Sequence, residues 1–174
     1  LLGANPAVHL VDADGATLAY ASVWDVGWSE RGSGRTIVLV TRESVRALGP
    51  DPDLGRWLAE AFVQDFPEVA DIAWSEPRVE TATVLFRLDL SWGLHARAGD
   101  VTVRITQPLD RRPVRLEDFR LDGVPHELSM VYVPCRRGSI TVDDEQLPGE
   151  VRITGRPERP SSGAFLTECE TWRR

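Results

Sequence analysis

The stretch ATLAYASVWDVGW, residues 16–28, decides how this chain folds. Leu18, Tyr20, Ser22, Trp24, Val26 and Trp28 fall on one side of it, and Thr17, Ala19, Ala21, Val23 and Asp25 on the other. Alternation with a period of two is the mark of a β-strand, whose side chains point in turn to opposite faces of a sheet. The aromatic side is expected to face an interior. Upstream, residues 7–11 and the turn Asp12-Ala13-Asp14-Gly15 complete a hairpin, because glycine supplies the positive φ that a tight turn needs. Asp12 and Asp14 also open a calcium-loop pattern. Thr17 and Leu18 follow and no distal Glu completes it, so a plain turn is expected.

Outward from this strand the pattern changes. Residues 30–35, rich in Gly and Ser, read as a loop, and 36–41 as a third strand. Residues 43–48 are expected to form a short helix ended by Gly49. Asp51 and Pro52 signal a second helix over 51–66, with Asp51 as N-cap and Pro52 in the first turn. Leu54, Trp57, Leu58, Ala61 and Phe62 make one apolar stripe, and Pro67 stops the helix. At about 20 Å, this helix would lie across one end of a small barrel or cover one face of a sheet.

Beyond Val69 the signal is β. In residues 79–92, Ala82, Val84, Phe86, Leu88, Leu90 and Trp92 alternate with Thr81, Thr83, Arg87, Asp89 and Ser91. A turn at 96–100 leads to a strand at 101–107. Further strands are expected at 114–121, 126–134, 139–142, 150–154 and 163–172. The turns between them fall at Asp122-Gly123, Arg137-Gly138, Pro148-Gly149 and 159–162. About ten strands with one apolar face must close or fold over to hide their edges. Closure of eight to ten strands leaves an interior that side chains fill or a small ligand shares.

This organisation resembles the calycin superfamily. The strand–helix–helix–meander order from Thr36 onward is similar to that of the intracellular lipid-binding proteins, with an extra N-terminal hairpin. The resemblance implies a small apolar ligand under a two-helix lid. It carries no binding residue across, because the lipocalin Gly-x-Trp motif is not matched: Gly27-Trp28 has no intervening residue. The expected fold is therefore mainly β: an up-and-down antiparallel meander over residues 1–174, closing into one lipocalin-like β-barrel with a short helical insertion. The alternative is a helix-grip α+β fold, in which a curved sheet cradles a helix. Such folds usually end in a long helix, whereas residues 165–171 alternate like a strand.

Composition bounds the function. A chain of 174 residues buries roughly 70% of its unfolded surface and needs no metal or disulfide to hold a core. The net charge of −7 argues against a nucleic-acid or anionic-membrane surface. All 20 basic residues are Arg, which reads as genome-wide coding bias and excludes lysine chemistry. No segment approaches the ~20 apolar residues of a membrane-spanning helix. Cys135 and Cys169 lack metal-ligand spacing; two free core thiols are expected, in keeping with a cytoplasmic protein, with a disulfide as the alternative. The chain opens Leu1-Leu2-Gly3 without a Met, so its start decides nothing.

Tyr20, Trp24 and Trp28 are candidate ligand walls, with Phe86, Trp92 and Tyr132 beside them; the competing reading is that these aromatics fill the core. Arg104 and His126 are the polar candidates. Arg87 and Arg104 alternate with apolar neighbours and are expected in water, but an inverted register would turn one inward to meet a ligand carboxylate. On the last strand Phe165, Thr167, Cys169 and Thr171 are expected to face in and Glu168 and Glu170 out; in the alternative register Ala164, Leu166 and Trp172 face in and the two acids are buried and need partners. His9, His95 and His126 have no i, i+2 or i, i+4 pairing, so no metal or cofactor is expected. Hydrolase, nucleotide-loop, dinucleotide and zinc-protease motifs are all missing.

Three functions remain. The first is a binding protein for a small hydrophobic or amphipathic molecule. The second is a barrel enzyme doing acid–base chemistry of isomerase, cyclase or hydratase type, using Tyr20, His95 or His126. The third is a protein-interaction module without a pocket. Edge strands offer a route to an oligomer in any of them.

Overall fold

The computed structural model describes residues 1–121 and 124–173. The chain begins with β1 (Leu2–Ala4), β2 (Ala7–Val11), β3 (Thr17–Trp28), β4 (Gly34–Thr41) and β5 (Val45–Gly49). From β2 to β5, successive strands pair antiparallel. Helix α1 (Pro52–Ala61) then crosses over to β6 (Arg78–Thr81), which pairs parallel to β5. Asp51 caps α1 as expected: its carboxylate accepts from the N–H groups of Asp53 and Leu54 at 3.0 and 3.1 Å. The helix stops at Ala61 rather than Phe66, and two single 3-10 turns, Val63–Asp65 and Pro67–Val69, carry the chain on. Phe66 is extended (φ −73°, ψ 136°) because the ring of Pro67 disfavours helix at the residue before it. Asp51→Ala should cost about 1 kcal/mol in urea-denaturation experiments, with the denaturant slope unchanged.

The second half is β7 (Val84–Asp89), β8 (Gly93–Ala98), β9 (Val101–Pro108), β10 (Arg112–Leu121) and β11 (Val124–Val142). It ends with β12 (Glu145–Gln146), β13 (Ile153–Arg156), β14 (Arg159–Ser162) and β15 (Ala164–Arg173). Strands β7, β8 and β9 form a meander. Both β9 and β10 pair with β11, from Val142↔Val101 to Cys135↔Pro108 and then from Tyr132↔Arg112 to Leu121↔Val124. The two segments are one long hairpin, offset near Gln107, whose φ is +64°. β15 pairs with the first part of β11, and β1 sits between β15 and β3. That short strand, together with β2, which also pairs with both β3 and β15, joins the halves into one sheet, β6-β5-β4-β3-β1-β15-β11-β9-β8-β7, while β13 and β14 form a separate flap.

The structure is mainly β and antiparallel, and several sequence expectations are corrected. The meander holds over β2–β5 and β7–β9 but not where β1, β11 and β15 unite the halves, and no ladder joins β6 to β7 among the described residues. Residues 45–48 are strand and 43–48 hold no helix: β5 lies between two cores, with Ala47 on one side and Leu48 on the other. Burial on both faces overrides a weak helical preference. Residues 79–92 form two strands, not one, because β6 follows β5 only to Thr81 and Ala82 N–H still donates to the Gly49 carbonyl at 3.0 Å. Residues 96–98 belong to β8, and the turn is Gly99-Asp100. Arg137 and Gly138 lie inside β11, and 159–162 is β14. The Asp122-Gly123 turn falls outside the described residues.

The largest correction concerns β3. Its small-residue face (Ala19, Ala21, Val23) packs with Ile37 and Leu39 against Leu94, Ala96, Val103 and Ile105 of the second half. This space between the halves is filled by side chains and is not a hollow. The aromatic face, Tyr20 and Trp24, builds a second core with Leu54, Leu58 and Phe62. Helix α1 therefore lies on the outer face of β4–β5–β6, an option left open by its length, and not over a barrel mouth.

Candidate ligand groove

The aromatic face of β3 is longer than α1 can cover. Beyond the end of the helix, a groove of about 580 Å³ opens between this face and the long hairpin. Tyr20 and Trp24 form part of one wall, with Phe62 and Phe66 from the end of α1 and the turn after it. β11 contributes Leu128, Met130 and Tyr132, which are alternate residues of one face. β15 contributes Phe165, Thr167, Cys169 and Thr171, the set expected to face inward. Its other face splits: Ala164 and Leu166 enter the main core, while Glu168 and Glu170 point to a separate open cleft. Leu116 and Phe119 of β10 and the β13–β14 flap close the rim.

Aromatic edges fix the walls. Trp24 meets Phe62 edge-on at 5.1 Å between ring centroids, and Tyr20 meets Phe66 at 6.2 Å. Tyr132 tilts against Phe165 at 5.5 Å and lies under the Arg112 guanidinium at 4.9 Å. The Tyr132 hydroxyl accepts from the Ser162 N–H at 3.2 Å and donates to the Ser162 carbonyl at 3.3 Å. This pair ties the flap to β11.

Most polar groups in the groove are already paired. The Asn5 amide donates to the Ser22 hydroxyl at 3.1 Å. The Thr17 hydroxyl donates to the Glu68 carbonyl at 2.9 Å, so it accepts from His9 Nε2, 3.0 Å away. Burial holds His9 below the ordinary histidine range and pushes the fully buried Tyr20 hydroxyl well above the usual phenol range. Two atoms differ: Trp24 Nε1 and Thr167 Oγ1 are buried with no hydrogen-bond partner. Both cysteines are free, and burial pushes the thiol of Cys169 up to about 11 and that of Cys135 to about 12. No group of His, Cys, Asp and Glu among the described residues is arranged to hold a metal.

The eight residues chosen from sequence do not share one interior. Tyr20, Trp24 and Tyr132 meet in the groove. Phe86 and Trp92 line the open cleft on the far side of β1 and β15, of about 1080 Å³, with the Arg35 guanidinium over Phe86 at 5.3 Å. Trp28 is 51% exposed and stacks on Trp172 at 6.5 Å, because β3 runs past the core at its end. Arg104 is exposed, as its alternation with apolar neighbours predicts, and stands opposite His95. His126 begins β11 outside the groove, with Nδ1 2.8 Å from the Val124 carbonyl. Tyr20, His95 and His126 are on different elements and do not converge. Sequence reasoning missed Phe66, Phe119, Met130 and Thr167 as neighbours, because only the long-range pairings of β1 and β2 with β15 bring β11 and β15 beside β3.

No family model matches the chain, and comparison with curated proteins and with solved structures finds no match either.

Proposed function

We propose that the protein binds a small hydrophobic or amphipathic molecule in the groove between β3 and the β10–β11–β15 face. The observation that carries this reading is the groove itself. Its volume of about 580 Å³ lies within the roughly 300–1,000 Å³ of small-molecule sites. Its walls are aromatic and aliphatic, and strands place Trp24, Tyr132 and Thr167 on them, while Asn5, Glu68 and Arg152 come from connections. The function is of the lipocalin kind, but the seat is not: the ligand sits beside the main core, not within a closed barrel. His9, Tyr20 and Glu68 all line the groove, with the His9 and Tyr20 rings 6.1 Å apart, but no hydrogen bond joins any two of these side chains, which disfavours the acid–base alternative.

The test uses a neutral fluorescent probe, N-phenyl-1-naphthylamine. One molecule should bind per chain and quench Trp24. Leu116 lines the rim at 44% exposure, so Leu116→Glu should fold normally and weaken the probe about fivefold or more. Absence of any binding by the unsubstituted protein would remove the proposal.

A further inference from the structure

We infer that the groove selects an uncharged molecule bearing an oxygen acceptor, such as a ketone or an ester, over a carboxylate of the same length. This inference rests on the ligand-binding reading and specifies the ligand's chemical class.

Ala4 stands opposite Asp25 on one side and Glu168 on the other, and Asn5 N–H donates to the Thr167 carbonyl at 3.3 Å. Thr167 in turn pairs with Tyr132. Trp24, Asn5, Thr167 and Tyr132 therefore form one lateral row across β3, the start of the β1–β2 connection, β15 and β11, and all four line the groove. Adjacent strands are about 4.8 Å apart, so Trp24 and Thr167 are separated by roughly 10 Å.

Asn5 and Tyr132 in this row already have partners. Trp24 and Thr167, each only 3% exposed, do not. A buried polar atom without a partner is costly, and most such atoms in folded proteins are satisfied. An indole N–H can only donate, so whatever meets Trp24 must offer an acceptor. The threonine hydroxyl can donate as well. Two donors in one row fit a molecule with one or two oxygen atoms partway along an apolar body.

Charge decides between the acids and their neutral analogues. No member of the row is charged. Among the other side chains lining the groove, Arg152 is exposed at the rim and lies against Gly15, while Glu68 is anionic. The His9 ring is engaged by Thr17, and Cys169 is a free, half-buried thiol. Arg112, over the Tyr132 ring, is already held by Asp110, and the Leu1 ammonium donates to the Thr171 carbonyl, farther along β15 than Thr167, so a carboxylate seated at the row would be desolvated with no free cation beside it, which is far costlier than seating a carbonyl.

The test displaces N-phenyl-1-naphthylamine with 2-undecanone, undecanoate at pH 8 and undecane, in the unsubstituted protein and in T167V, W24F and T36V. Thr→Val keeps the shape and removes only the hydroxyl. The ketone should displace the probe at about a tenfold lower concentration than undecanoate. T167V should weaken the ketone about fivefold and leave undecane unchanged. With no ligand bound, T167V should raise the midpoint of thermal unfolding, because an unpaired buried hydroxyl is gone. W24F should weaken the ketone in the same way. The control is Thr36, whose hydroxyl is also unpaired but lies outside the groove: T36V should leave all affinities unchanged. Undecanoate binding as tightly as the ketone overturns the inference while the ligand-binding reading stands, and so does equal loss of ketone and undecane in T167V. Failure of the probe and all three compounds to bind removes both.

Discussion

Arg46→Ala should destabilise the protein by about 3 kcal/mol in chemical denaturation, far more than loss of a surface ion pair. Arg46 projects from β5 with only 10% of its side chain exposed. Its guanidinium forks onto two acids at once. Nε and one terminal nitrogen donate to Glu80 at 2.7 and 2.8 Å, and the terminal nitrogens donate to Asp100 at 3.0 and 2.7 Å. Glu80 is on β6 and Asp100 is in the β8–β9 turn. One side chain thus ties the parallel strand β6 to the second half of the sheet, at an end of the sheet that no ladder closes among the described residues. The two acids are 29% and 27% exposed, so the charges left by the substitution are partly hydrated, and the cost falls at the lower end of the range for buried pairs. Arg46→Lys should recover less than half of the loss, since an ammonium cannot fork onto two carboxylates.

The same cluster sets an acid limit. Hydrogen bonds from Arg46 are the first cause holding both Glu80 and Asp100 below the ordinary carboxylate range. A carboxylate whose folded pKa is depressed contributes stability above its unfolded pKa, about 4, and loses it as pH falls through the folded value. Wild-type stability should therefore fall as pH drops below about 4. Arg46→Ala should be less stable at neutral pH and show a shallower acid decline, which titration of the denaturation midpoint from pH 7 to pH 3 would measure.

How legible this was in the sequence depends on the range of the interaction. The β3 alternation, the Asp12–Gly15 turn and the Asp51 cap are local, and residue pattern alone gives them. The direction of the β3 faces is not local. Both faces are buried, and Ala19, Ala21 and Val23 find the larger core only because the β7–β9 meander packs there. A rule that places large aromatics inside and small residues outside chooses wrongly when two cores share one strand. Residues 43–48 fail for the same reason: a short segment buried on both sides has no period to read. The groove needed three long-range pairings, those of β1 with β3, of β1 with β15 and of β11 with β15, and no motif announces them. The last strand was readable only in part: keeping Glu168 and Glu170 out of an apolar interior favours the face that lines the groove, but Ala164 and Leu166 of the other face enter the main core, which no local pattern announces.

Gly138→Val should cost more than about 3 kcal/mol, at the upper end for overpacking, and leave little folded protein at 37 °C. Between apolar segments, Arg137-Gly138 reads as a turn. In the structure the glycine continues β11, pairing with Ile105, where the long hairpin passes over β2 and β15. A Cβ here would lie 2.7 Å from the Ala164 Cβ and 3.0 Å from both Val8 methyl groups. Val8 and Ala164 are themselves fully buried and paired to each other across β2 and β15, so neither can withdraw without opening that ladder. The constraint is therefore lack of space, not a need for positive φ. Gly138→Ala should already destabilise, and a combined Ala164→Gly should recover part of that loss by removing the closest atom. An additive double variant would mean that β11 can shift as a body. Non-additive recovery in chemical denaturation would show that the crossing holds the hairpin against the first half of the sheet. The wall of the groove formed by Leu128, Met130 and Tyr132 depends on that placement.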